Sequence, residues 1–547
     1  MTTALVLLGI VLTLAFAGWR AWRRMRFFLH VFQLETYKLD RYMRWLRTSG
    51  GPVAAGWSHA LGALALLLAA GSYLNGWPWG AAGGLIAVWP LLFISSRRYR
   101  RDAEKKPLRF TARMTRLSVA SGLWAALPVV VGILWGDTWG QAEAVIGGVI
   151  GLFIADIGGP LWVALGALCT KPIEQTIQNG FKRQARAHLR EHAHLEVIGI
   201  TGSYGKTSTK HIVAELLSQS YSVLATPGSY NTPMGICLVV NEKLRPEHQV
   251  LVLEMGMRYP GDIAELCAIA APDTSVITSV GIAHLETMGT VDAIAKEKSS
   301  ILQHMKEGGA AILNIDDPRV AAMADDAPGP VWRVSAENHP DADIAASNIR
   351  YSTNGLTCTI RDEKGHTAPF QTKLLGRHNV LNLLLAVAVG HSKGMRLRAM
   401  AHAARRLEPV EHRLELKTRN GITIIDDAFN SNPVGAQNAV DLLAEMEGQR
   451  RYIVTPGMVE MGPKQDEANY NLGKAIAARN IEGVFLIGDA QTQALQKGLR
   501  DHGFPSDKLH IHPTLFDAQD TLSRQLRQGD IVLYENDLPD QYEPVAA

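Results

Sequence analysis

Cysteine is scarce in this chain, and neither sign of charge dominates. Only four cysteines occur among 547 residues, at Cys169, Cys237, Cys267 and Cys358. They are scattered, with no C-x-x-C or other metal-ligand spacing, which excludes a zinc ribbon and a disulfide framework and favours a reducing compartment. The formal net charge is +3, so charge alone gives no reason to expect nucleic-acid binding.

Long apolar runs are absent from most of the chain but fill its first 170 residues. A helix needs roughly 20 apolar residues to cross a bilayer. Five segments approach or exceed that length, approximately at 2–18, 54–74, 77–95, 117–135 and 142–168. No small-residue cleavage site follows the first, so we interpret it as a retained anchor rather than a signal peptide. The sequence predicts an N-terminal α-helical membrane region over residues 1–170, with about five transmembrane helices.

Basic residues predict the orientation of this region. The connections from Arg20 to Arg47 and from Arg97 to Arg116 are strongly basic, whereas the hairpins near 75–79 and 136–140 contain no lysine or arginine. By the positive-inside rule the basic connections are cytoplasmic, which places the N-terminus outside and everything after Lys171 in the cytoplasm. We therefore expect a multi-pass protein of the inner (cytoplasmic) membrane.

Two features of this region leave alternatives open. Asp156, inside the fifth apolar segment, is costly in lipid, so it either serves a function such as transport or pairs with a neighbouring helix. One acidic residue is a weak basis for a pump, and pairing is the favoured interpretation. Residues 171–194 suit a basic amphipathic helix at the membrane surface, and a plain linker helix is equally compatible.

A glycine-rich turn follows, within the stretch "GITGSYGKTST" of residues 199–209. The apolar "LEVIGI" before it predicts a buried strand, and "KTSTKHIVAELLSQ" after it predicts a helix. In that context backbone N–H groups and the helix N-terminus bind phosphate. Lys206 would reach the terminal phosphates and Thr207 would hold magnesium. The full G-x-x-x-x-G-K-[ST] pattern is not met, because Ile200 occupies the outer glycine position.

Strand and helix patterns alternate after this turn. From 195 to about 408 they predict a central nucleotide-binding domain with a parallel sheet, in which residues 341–375 form a small antiparallel patch. A second α/β unit is predicted over residues 409–547. The predicted fold class is thus an α-helical membrane region followed by α/β domains.

The variant loop T-G-S-Y-G-K-T-S resembles the shortened phosphate loop of the Mur ligases. Further segments resemble that family's motifs in the same order: "TPGSYNTPMG" (226–235), "LVLEMGMRYPGDI" (251–263), "GIAHLETMGTVDAIAKEKSSI" (281–301), "ILNIDDP" (312–318), "LLGRHNVLNLLLAVA" (374–388), "PVEHRLEL" and "IIDDAFNSNPVGA" (409–436). The pattern Asp426-Asp-Ala-Phe-Asn-Ser-Asn-Pro433 is closest to the D-alanyl-D-alanine-adding, MurF-type members, with phenylalanine in place of tyrosine. The resemblance implies a P-loop ATPase-like central domain and a Rossmann-like C-terminal domain of the Mur ligase type.

The resemblance also implies roles for individual residues. Those implied to bind the nucleotide are Gly202, Ser203, Gly205, Lys206, Thr207, Ser208, Asn314, His378, Asn379 and Asp427. Those implied to hold two Mg²⁺ ions are Thr207, Glu254, His284 and Lys298, the last as a carbamate. The implied catalytic residues are Lys206, His284, Lys298 and Arg413, and the implied substrate contacts are Asn231, Thr232, Asn430 and Asn432.

Structural roles remain open for three of these residues when each is taken singly. His284 would then be a core histidine, Glu254 a capped strand end, and Lys298 part of a solvated helix face beside Lys296. Two departures from the family also matter. Membrane segments stand where the family has its UDP-sugar domain, and "GDIVLYENDLPDQY" (529–542) replaces the usual C-terminal "GDxVLxKGS".

The expected function is that of an ATP-dependent, amide-forming ligase that works through an acyl phosphate. Its expected substrates are UDP-N-acetylmuramoyl tripeptide and D-alanyl-D-alanine, and its expected partners are the bacterial inner membrane and other wall-synthesis enzymes, with no nucleic acid. One alternative is a ligase with a lipid-linked or polyamino-acid acceptor, motivated by the missing sugar domain. The other alternative is an ATP-driven transporter or regulatory ATPase, in which the stretch from His284 to Lys298 would have no evident use.

Overall fold

The computed structural model describes residues 2–48, 57–89, 92, 94, 108–352, 354–409, 414–428, 433–459 and 465–536. The chain divides into two compact units, Met1–Gly180 and Phe181–Ala547. The first is helical, and the second contains two β-sheets with helices packed on them.

The described helices of the first unit are α1 (Thr2–Leu34), α2 (Leu39–Thr48), α3 (Trp57–Leu74), α4 (Pro78–Ala87), α5 (Ala112–Asp137), α6 (Gln141–Ile157) and α7 (Gly159–Glu191), whose last residues belong to the second unit. Helix α5 begins with a cap, since the Thr111 side chain accepts a hydrogen bond from the backbone N–H of Met114. α5 and α6 pack tightly because Gly132 and Gly147 let the two backbones approach closely.

Among the described residues, one helix, Ala112–Asp137, is long and apolar enough to cross a membrane. The bent pair α6 and α7 passes the same test when counted as one span, and Ala60–Leu74 is a shorter apolar helix. The prediction of about five spans is therefore not supported. Of the segment predicted at 54–74, the described part begins at Trp57 and is helical; its first residues, like part of the segment predicted at 77–95, lie outside the described residues.

The fifth predicted span, 142–168, is wrong as a single helix. α6 ends at Ile157, and α7 begins at Gly159 with a bend of 76° between them. Pro160 has no backbone N–H and suits the first turn of a new helix, so the Gly158-Gly159-Pro160 sequence ends one helix and starts the next. α7 then continues without a break to Glu191, and the helix predicted over 171–194 is its C-terminal part rather than a separate element.

Asp156 lies beside this bend and is buried. Its carboxylate accepts a hydrogen bond from Arg20 Nε at 2.9 Å and lies 3.5 Å from Arg24 Nη1. Both arginines come from α1, so pairing with a neighbouring helix is confirmed.

The larger sheet of the second unit has the strand order β2-β3-β1-β4-β5-β6-β7-β8-β9. Its strands are β1 (Glu196–Thr201), β2 (Val223–Ala225), β3 (Val250–Glu254), β4 (Thr274–Ile277), β5 (Ala310–Asn314), β6 (Val331–Ser335), β7 (Ile344–Ser352), β8 (Gly355–Arg361) and β9 (Thr367–Thr372). Pairing is parallel from β2 to β7, and β7, β8 and β9 pair antiparallel. The predicted parallel sheet and antiparallel patch are confirmed, and β6–β7 pairing joins them into one sheet.

The helices described in this part are α8 (Lys206–Leu217), α9 (Pro233–Lys243), α10 (Asp262–Cys267), α11 (Leu285–Met288), α12 (Val291–Gln303), α13 (Pro318–Ala321), α14 (Arg377–Ser392) and α15 (Leu397–Ala404). Helix α14 carries a long run of apolar residues and is the most deeply buried of these helices. It packs against α8 and against β5, β6 and β7, so the phosphate-loop helix rests on a rigid core.

The smaller sheet has the order β10-β11-β15-β12-β13-β14 and is parallel except for the β10–β11 pair. Its elements are β10 (Glu415–Arg419), β11 (Ile422–Asp427), α16 (Pro433–Glu445), β12 (Arg451–Thr455), α17 (Gln465–Ala477), β13 (Gly483–Ile487), α18 (Asp489–Asp501), β14 (Leu509–His512), α19 (Leu515–Ser523) and β15 (Ile531–Glu535). The predicted second α/β unit is confirmed, while strand β10 was not predicted.

Candidate active site

One cavity of about 640 Å³ lies where the carboxyl ends of β1 and β3 meet residues of the smaller-sheet part. In parallel sheets this edge is where ligands bind. Of the predicted site residues, those that line it are Ser203, Gly205, Lys206, Thr207, Ser208, Asn231, Glu254, His378, Asn379 and Asp427. The structure therefore brings together residues spread over more than two hundred positions of sequence.

Two glycines are required by the shape of the phosphate loop. Gly202 has φ +151°, and a Cβ there would lie 1.8 Å from the Thr278 hydroxyl oxygen. Gly205 has φ +80°, and a Cβ there would lie 2.6 Å from the Asn382 side-chain oxygen. The loop thus packs too closely for a side chain at either position. Its tight turn brings the backbone N–H groups at the start of α8 toward the position of a bound anion.

Lys206, the first residue of α8, folds back over this loop. Its ammonium group donates to the carbonyl of Gly202 at 2.7 Å and to that of Ser203 at 3.4 Å. Burial lowers the pKa of Lys206, and the carboxylate of Glu254 opposes that shift. A cation held over the phosphate loop in a poorly solvated site is suited to bind the terminal phosphates of a nucleotide.

Glu254, the last residue of β3, collects several hydrogen bonds around one buried carboxylate. It accepts from the Thr207 hydroxyl at 2.8 Å and from the Asn231 side-chain amide at 2.9 Å. These partners come from the phosphate-loop helix and from the loop after β2. The substrate-loop residue Asn231 is thereby joined to the predicted metal ligand.

Thr207 and Glu254 fit a magnesium site. Mg²⁺ prefers hard oxygen ligands at 2.0–2.1 Å in an octahedron, in which adjacent ligands lie about 3 Å apart. The hydroxyl and carboxylate oxygens are 2.8 Å apart, close to that spacing, so Thr207 and Glu254 would be suited to hold one ion. The same pair belongs to the phosphate-binding edge, as a nucleotide-bound metal requires.

Lys210 was not predicted, although it is one turn after Lys206 on the same helix. Its side chain is fully buried, lies 3.4 Å from the carboxylate of Glu254 and donates a hydrogen bond to the carbonyl of Gly228. Burial lowers the pKa of Lys210, and Glu254 counteracts this. The four-residue spacing from Lys206 was the available signal, since it places both lysines on one face of α8.

The nucleotide-side residues from α14 form a connected set. The Asn379 side chain donates to the Leu375 carbonyl at 2.8 Å and accepts from Asn382 at 3.1 Å. Asn382, which was not predicted, accepts from the Thr209 hydroxyl at 3.1 Å and so ties α14 to α8. Asp427, at the end of β11, accepts from the backbone N–H of Leu414 at 3.1 Å.

Two predicted residues act outside the cavity lining. Asn314 is buried, donates to the Thr278 carbonyl at 2.9 Å and accepts from the backbone N–H of Asp316. Thr278 is the residue that Gly202 packs against, so Asn314 supports the phosphate loop from behind. Thr232 caps α9, its hydroxyl accepting from the backbone N–H of Gly235. Their roles toward adenine and substrate stay predictions.

His284 and Lys298 also lie outside the lining but share its electrostatic environment. Burial and then the charge of Lys206 lower the pKa of both residues, that of Lys298 to about 7. Lys298 is almost fully buried in α12, whereas neighbouring Lys296 is exposed. His284 has φ +67°, a conformation held at the start of α11. Lys298 is therefore not part of a solvated helix face, and its metal role stays a prediction.

Three predicted residues, Arg413, Asn430 and Asn432, lie outside the described residues. Their predicted contacts with γ-phosphate and substrate stay predictions.

Comparisons with known proteins match this architecture. Residues 200–390 match the Mur ligase middle domain, and residues 412–534 match the Mur ligase glutamate ligase domain. The UDP-N-acetylmuramoyl-tripeptide–D-alanyl-D-alanine ligase of Mycobacterium tuberculosis H37Rv is 32% identical over 432 residues, covering 75% of this chain and 78% of that protein. The ligase of the same name from Bacillus subtilis 168 is 31% identical over 354 residues, covering 64% and 75%.

Solved structures agree with these relatives. The crystal structure of MurF from Thermotoga maritima in complex with ADP has a TM-score of 0.57 and 26% identity, covering 66% of this chain and 80% of that chain. MurF from Acinetobacter baumannii has a TM-score of 0.56 and 25% identity, covering 66% and 77%. With its phosphate loop, buried Glu254 and paired α/β sheets, the chain belongs to the Mur ligase family.

Proposed function

We propose that this protein is an ATP-dependent amide ligase that adds D-alanyl-D-alanine to UDP-N-acetylmuramoyl tripeptide in peptidoglycan precursor synthesis. The observation that carries the proposal is the hydrogen-bonded pair Thr207–Glu254, which adjoins the phosphate loop and faces the same cavity as Asp427. The names and structures of the MurF relatives support the substrate assignment.

The chemistry explains why positive charge gathers in this cavity. A carboxylate does not condense with an amine in water without activation, so the γ-phosphoryl group of ATP passes to the tripeptide carboxylate and ADP leaves. The amine of D-alanyl-D-alanine then attacks the acyl phosphate, inorganic phosphate departs, and the amine loses a proton. Lys206 offsets the repulsion between carboxylate and polyphosphate. Mg²⁺ on Thr207 and Glu254 supplies further charge stabilisation when bound.

Carbamylation of Lys298 is part of the proposal. A lysine reacts with CO₂ only as the neutral amine, and burial with the nearby charge of Lys206 lowers the pKa of Lys298 to about 7. A substantial fraction of this amine is therefore neutral at physiological pH. The resulting carbamate is a carboxylate-like ligand that could hold a second Mg²⁺ together with His284.

Attachment to the inner membrane, with the second unit in the cytoplasm, is also proposed. In the most apolar 18-residue stretch of Ala112–Asp137, only 11% is buried inside the protein, whereas the core helix of a soluble domain is mostly buried. Large exposed apolar residues such as Leu67, Leu123 and Leu134 cover the first unit. Such a surface needs lipid or a partner to cover it.

Exposed aromatic residues support the same placement. Tyr73, Trp77 and Trp79 lie near the α3–α4 connection, and Trp135 and Trp139 lie near the α5–α6 connection. Both connections lack lysine and arginine, and tyrosine and tryptophan favour the boundary between lipid and water. We infer that these aromatic residues lie at a boundary between lipid and water.

A lipid-linked acceptor is the second candidate. The observation that favours it is the helical first unit, which stands where the family has its UDP-sugar domain. Membrane attachment would bring the protein to the surface that carries lipid-linked wall precursors.

The test uses full-length detergent-purified protein with ATP, Mg²⁺, D-alanyl-D-alanine and UDP-N-acetylmuramoyl tripeptide, with products identified by mass spectrometry. A UDP-linked pentapeptide is expected, and Lys206→Ala should abolish it. The matched control is Lys243→Ala, which changes an exposed lysine of α9 and should leave pentapeptide formation unchanged. A parallel assay replaces the UDP-linked tripeptide with a lipid-linked one. A product in that assay, with no pentapeptide in the first, would establish the second candidate. ATP hydrolysis without any amide product would overturn both and favour a transporter or regulatory ATPase.

A further inference from the structure

A second cavity, of about 440 Å³, lies within the first unit and is separate from the nucleotide site. The C-terminal end of α1, the turn into α2, the first turns of α5 and the middle of α7 form its walls. Its size is within the range of small-molecule sites.

The walls change from apolar to polar along the cavity. On α7 the lining passes from Leu168 to Lys171 within one turn, and on α5 it passes from Leu117 back to Arg113. Among the described helices, α5 is long and apolar enough by itself to cross a membrane, and Arg113 is in its first turn. The cavity thus lies where an apolar span becomes polar. A ligand that fits both ends has a polar head and a hydrocarbon tail.

Positive charge predominates at the polar end. Lys38, Arg113 and Lys171 line it together with Asp40 and Glu174. Glu174 is already compensated, because it accepts a hydrogen bond from Arg116 Nε at 2.7 Å and lies 3.8 Å from Arg113 Nε. With Arg116 included, four cations stand against two carboxylates, so the head group that fits is anionic.

The polar end is also held in a fixed shape. The Arg113 guanidinium lies 4.1 Å from the centre of the Tyr37 ring, and Tyr37 packs edge-on against Phe32. The Gln33 side chain donates to the Tyr37 hydroxyl at 3.1 Å and also bonds with the backbone of Arg109. The turn after α1 is therefore tied to the start of α5, and Arg113 is oriented before any ligand arrives.

We propose that this cavity binds the phosphate head group of an anionic lipid, with the hydrocarbon tail along the exposed apolar faces of α5 and α7. Leu168, which lines the cavity, is about half exposed, as are Ile173 on the same helix and Val119 on α5, and these side chains provide apolar surface for the tail. Two sources share this chemistry, a diacyl phospholipid and a polyprenyl phosphate. The proposal concerns binding alone and does not depend on the ligase activity.

The experiment measures lipid binding to full-length protein in detergent by native mass spectrometry, without ligase substrates. The probes are phosphatidylglycerol, polyprenyl monophosphate, neutral phosphatidylcholine and inorganic phosphate. We expect saturable binding of phosphatidylglycerol, of polyprenyl monophosphate, or of both. The one that binds more tightly shows whether the ligand is a diacyl phospholipid or a polyprenyl phosphate. Equal binding of phosphatidylcholine, or of inorganic phosphate, would overturn the proposal.

Variants locate the site. Lys171→Gln should weaken anionic-lipid binding about fivefold, and Lys171→Gln combined with Arg113→Gln should weaken it by more, because each basic residue near a membrane surface contributes similarly. Lys171 is exposed, so the single variant tests the site even if the double variant misfolds. The matched control is Arg47→Gln, an exposed basic residue in the last turn of α2 that does not line the cavity. Equal affinities for Lys171→Gln, Arg47→Gln and wild type would refute this location.

Discussion

The ammonium group of Lys210 lies 3.4 Å from the carboxylate of Glu254, and both side chains are almost completely buried. The carboxylate oxygen concerned, Oε2, is also the one that accepts the Thr207 hydroxyl. A buried carboxylate needs a counter-charge or hydrogen-bond donors to offset the loss of water. Lys210 supplies that counter-charge to Glu254, and through the carbonyl of Gly228 it joins the metal side of the cavity to the loop that carries Asn231.

Replacement of Lys210 by methionine should destabilise the protein, because it leaves the Glu254 carboxylate buried with only neutral partners. Removal of one partner of a buried ion pair costs about 3 kcal/mol. We expect the thermal unfolding midpoint of the second unit to fall by several degrees in calorimetry of the full-length protein. Lys243→Met, an exposed position on α9, should leave the midpoint unchanged. Equal midpoints for the two variants would mean that the pair contributes nothing.

The phosphate loop and the parallel sheet could be predicted because their signals are local. A glycine turn between a strand and a helix has few structural alternatives, and the order of the later motifs gave Glu254 and Asn379. The partners of these residues could not be predicted in the same way. Spacing places Lys210 on the same face of α8 as Lys206, but its contact with Glu254 depends on the packing of α8 against β3. The contact of Asn382 with Thr209 depends likewise on the packing of α14 against α8.

In the membrane region the local signal failed, whereas the prediction of a tertiary contact was correct. Apolar composition predicted five spans, but composition does not report where a helix breaks. The bend of 76° at Gly158 depends on two glycines and a proline, and the Arg20–Asp156 contact at 2.9 Å packs α1 against it. The favoured interpretation of Asp156 was right because a buried charge in an apolar helix almost always has a partner.

His284→Ala should weaken the binding of magnesium, and not only the binding of ATP. Partial burial and the charges of Lys206, Arg258 and Lys298 lower the pKa of His284, which favours the neutral ring whose lone pair a metal requires. We expect the half-saturating Mg²⁺ concentration for ligation to rise at least about tenfold. His304→Ala, an exposed histidine that follows α12, serves as the control. A reduced rate with unchanged magnesium dependence would argue against a ligand role.

Asp156→Asn should destabilise the first unit while nucleotide binding by the second unit is preserved. The substitution leaves Arg20 and Arg24 buried beside a neutral amide, at a cost of about 3 kcal/mol or more. Calorimetry and ATP affinity, measured on the same full-length preparation, check the two parts of this prediction. Asp137→Asn, exposed at the end of α5, should change neither. Unchanged stability with lost activity would instead favour a functional role for Asp156.

The pH dependence of stability tests the buried amine of Lys298. Its pKa in the folded protein, about 7, lies below the usual lysine value of 10.5, so between these pH values the unfolded chain binds a proton that the folded protein does not. Stability should therefore rise with pH from about 7 upward, and the penalty for burying the charged form should be fully present below that pH.

The measurement compares wild type with Lys298→Met in CO₂-free buffer between pH 6.5 and 9, so that no carbamate forms. Lys206 and Lys210 also have lowered pKa values, but they are present in both proteins, and the difference isolates Lys298. Lys296→Met, on the exposed side of the same helix, should follow wild type. If wild type and Lys298→Met show the same slope, Lys298 is protonated in the folded protein throughout this range. The neutral amine that reacts with CO₂ would then be scarce at neutral pH, and a carbamate ligand at this position would lose its chemical basis.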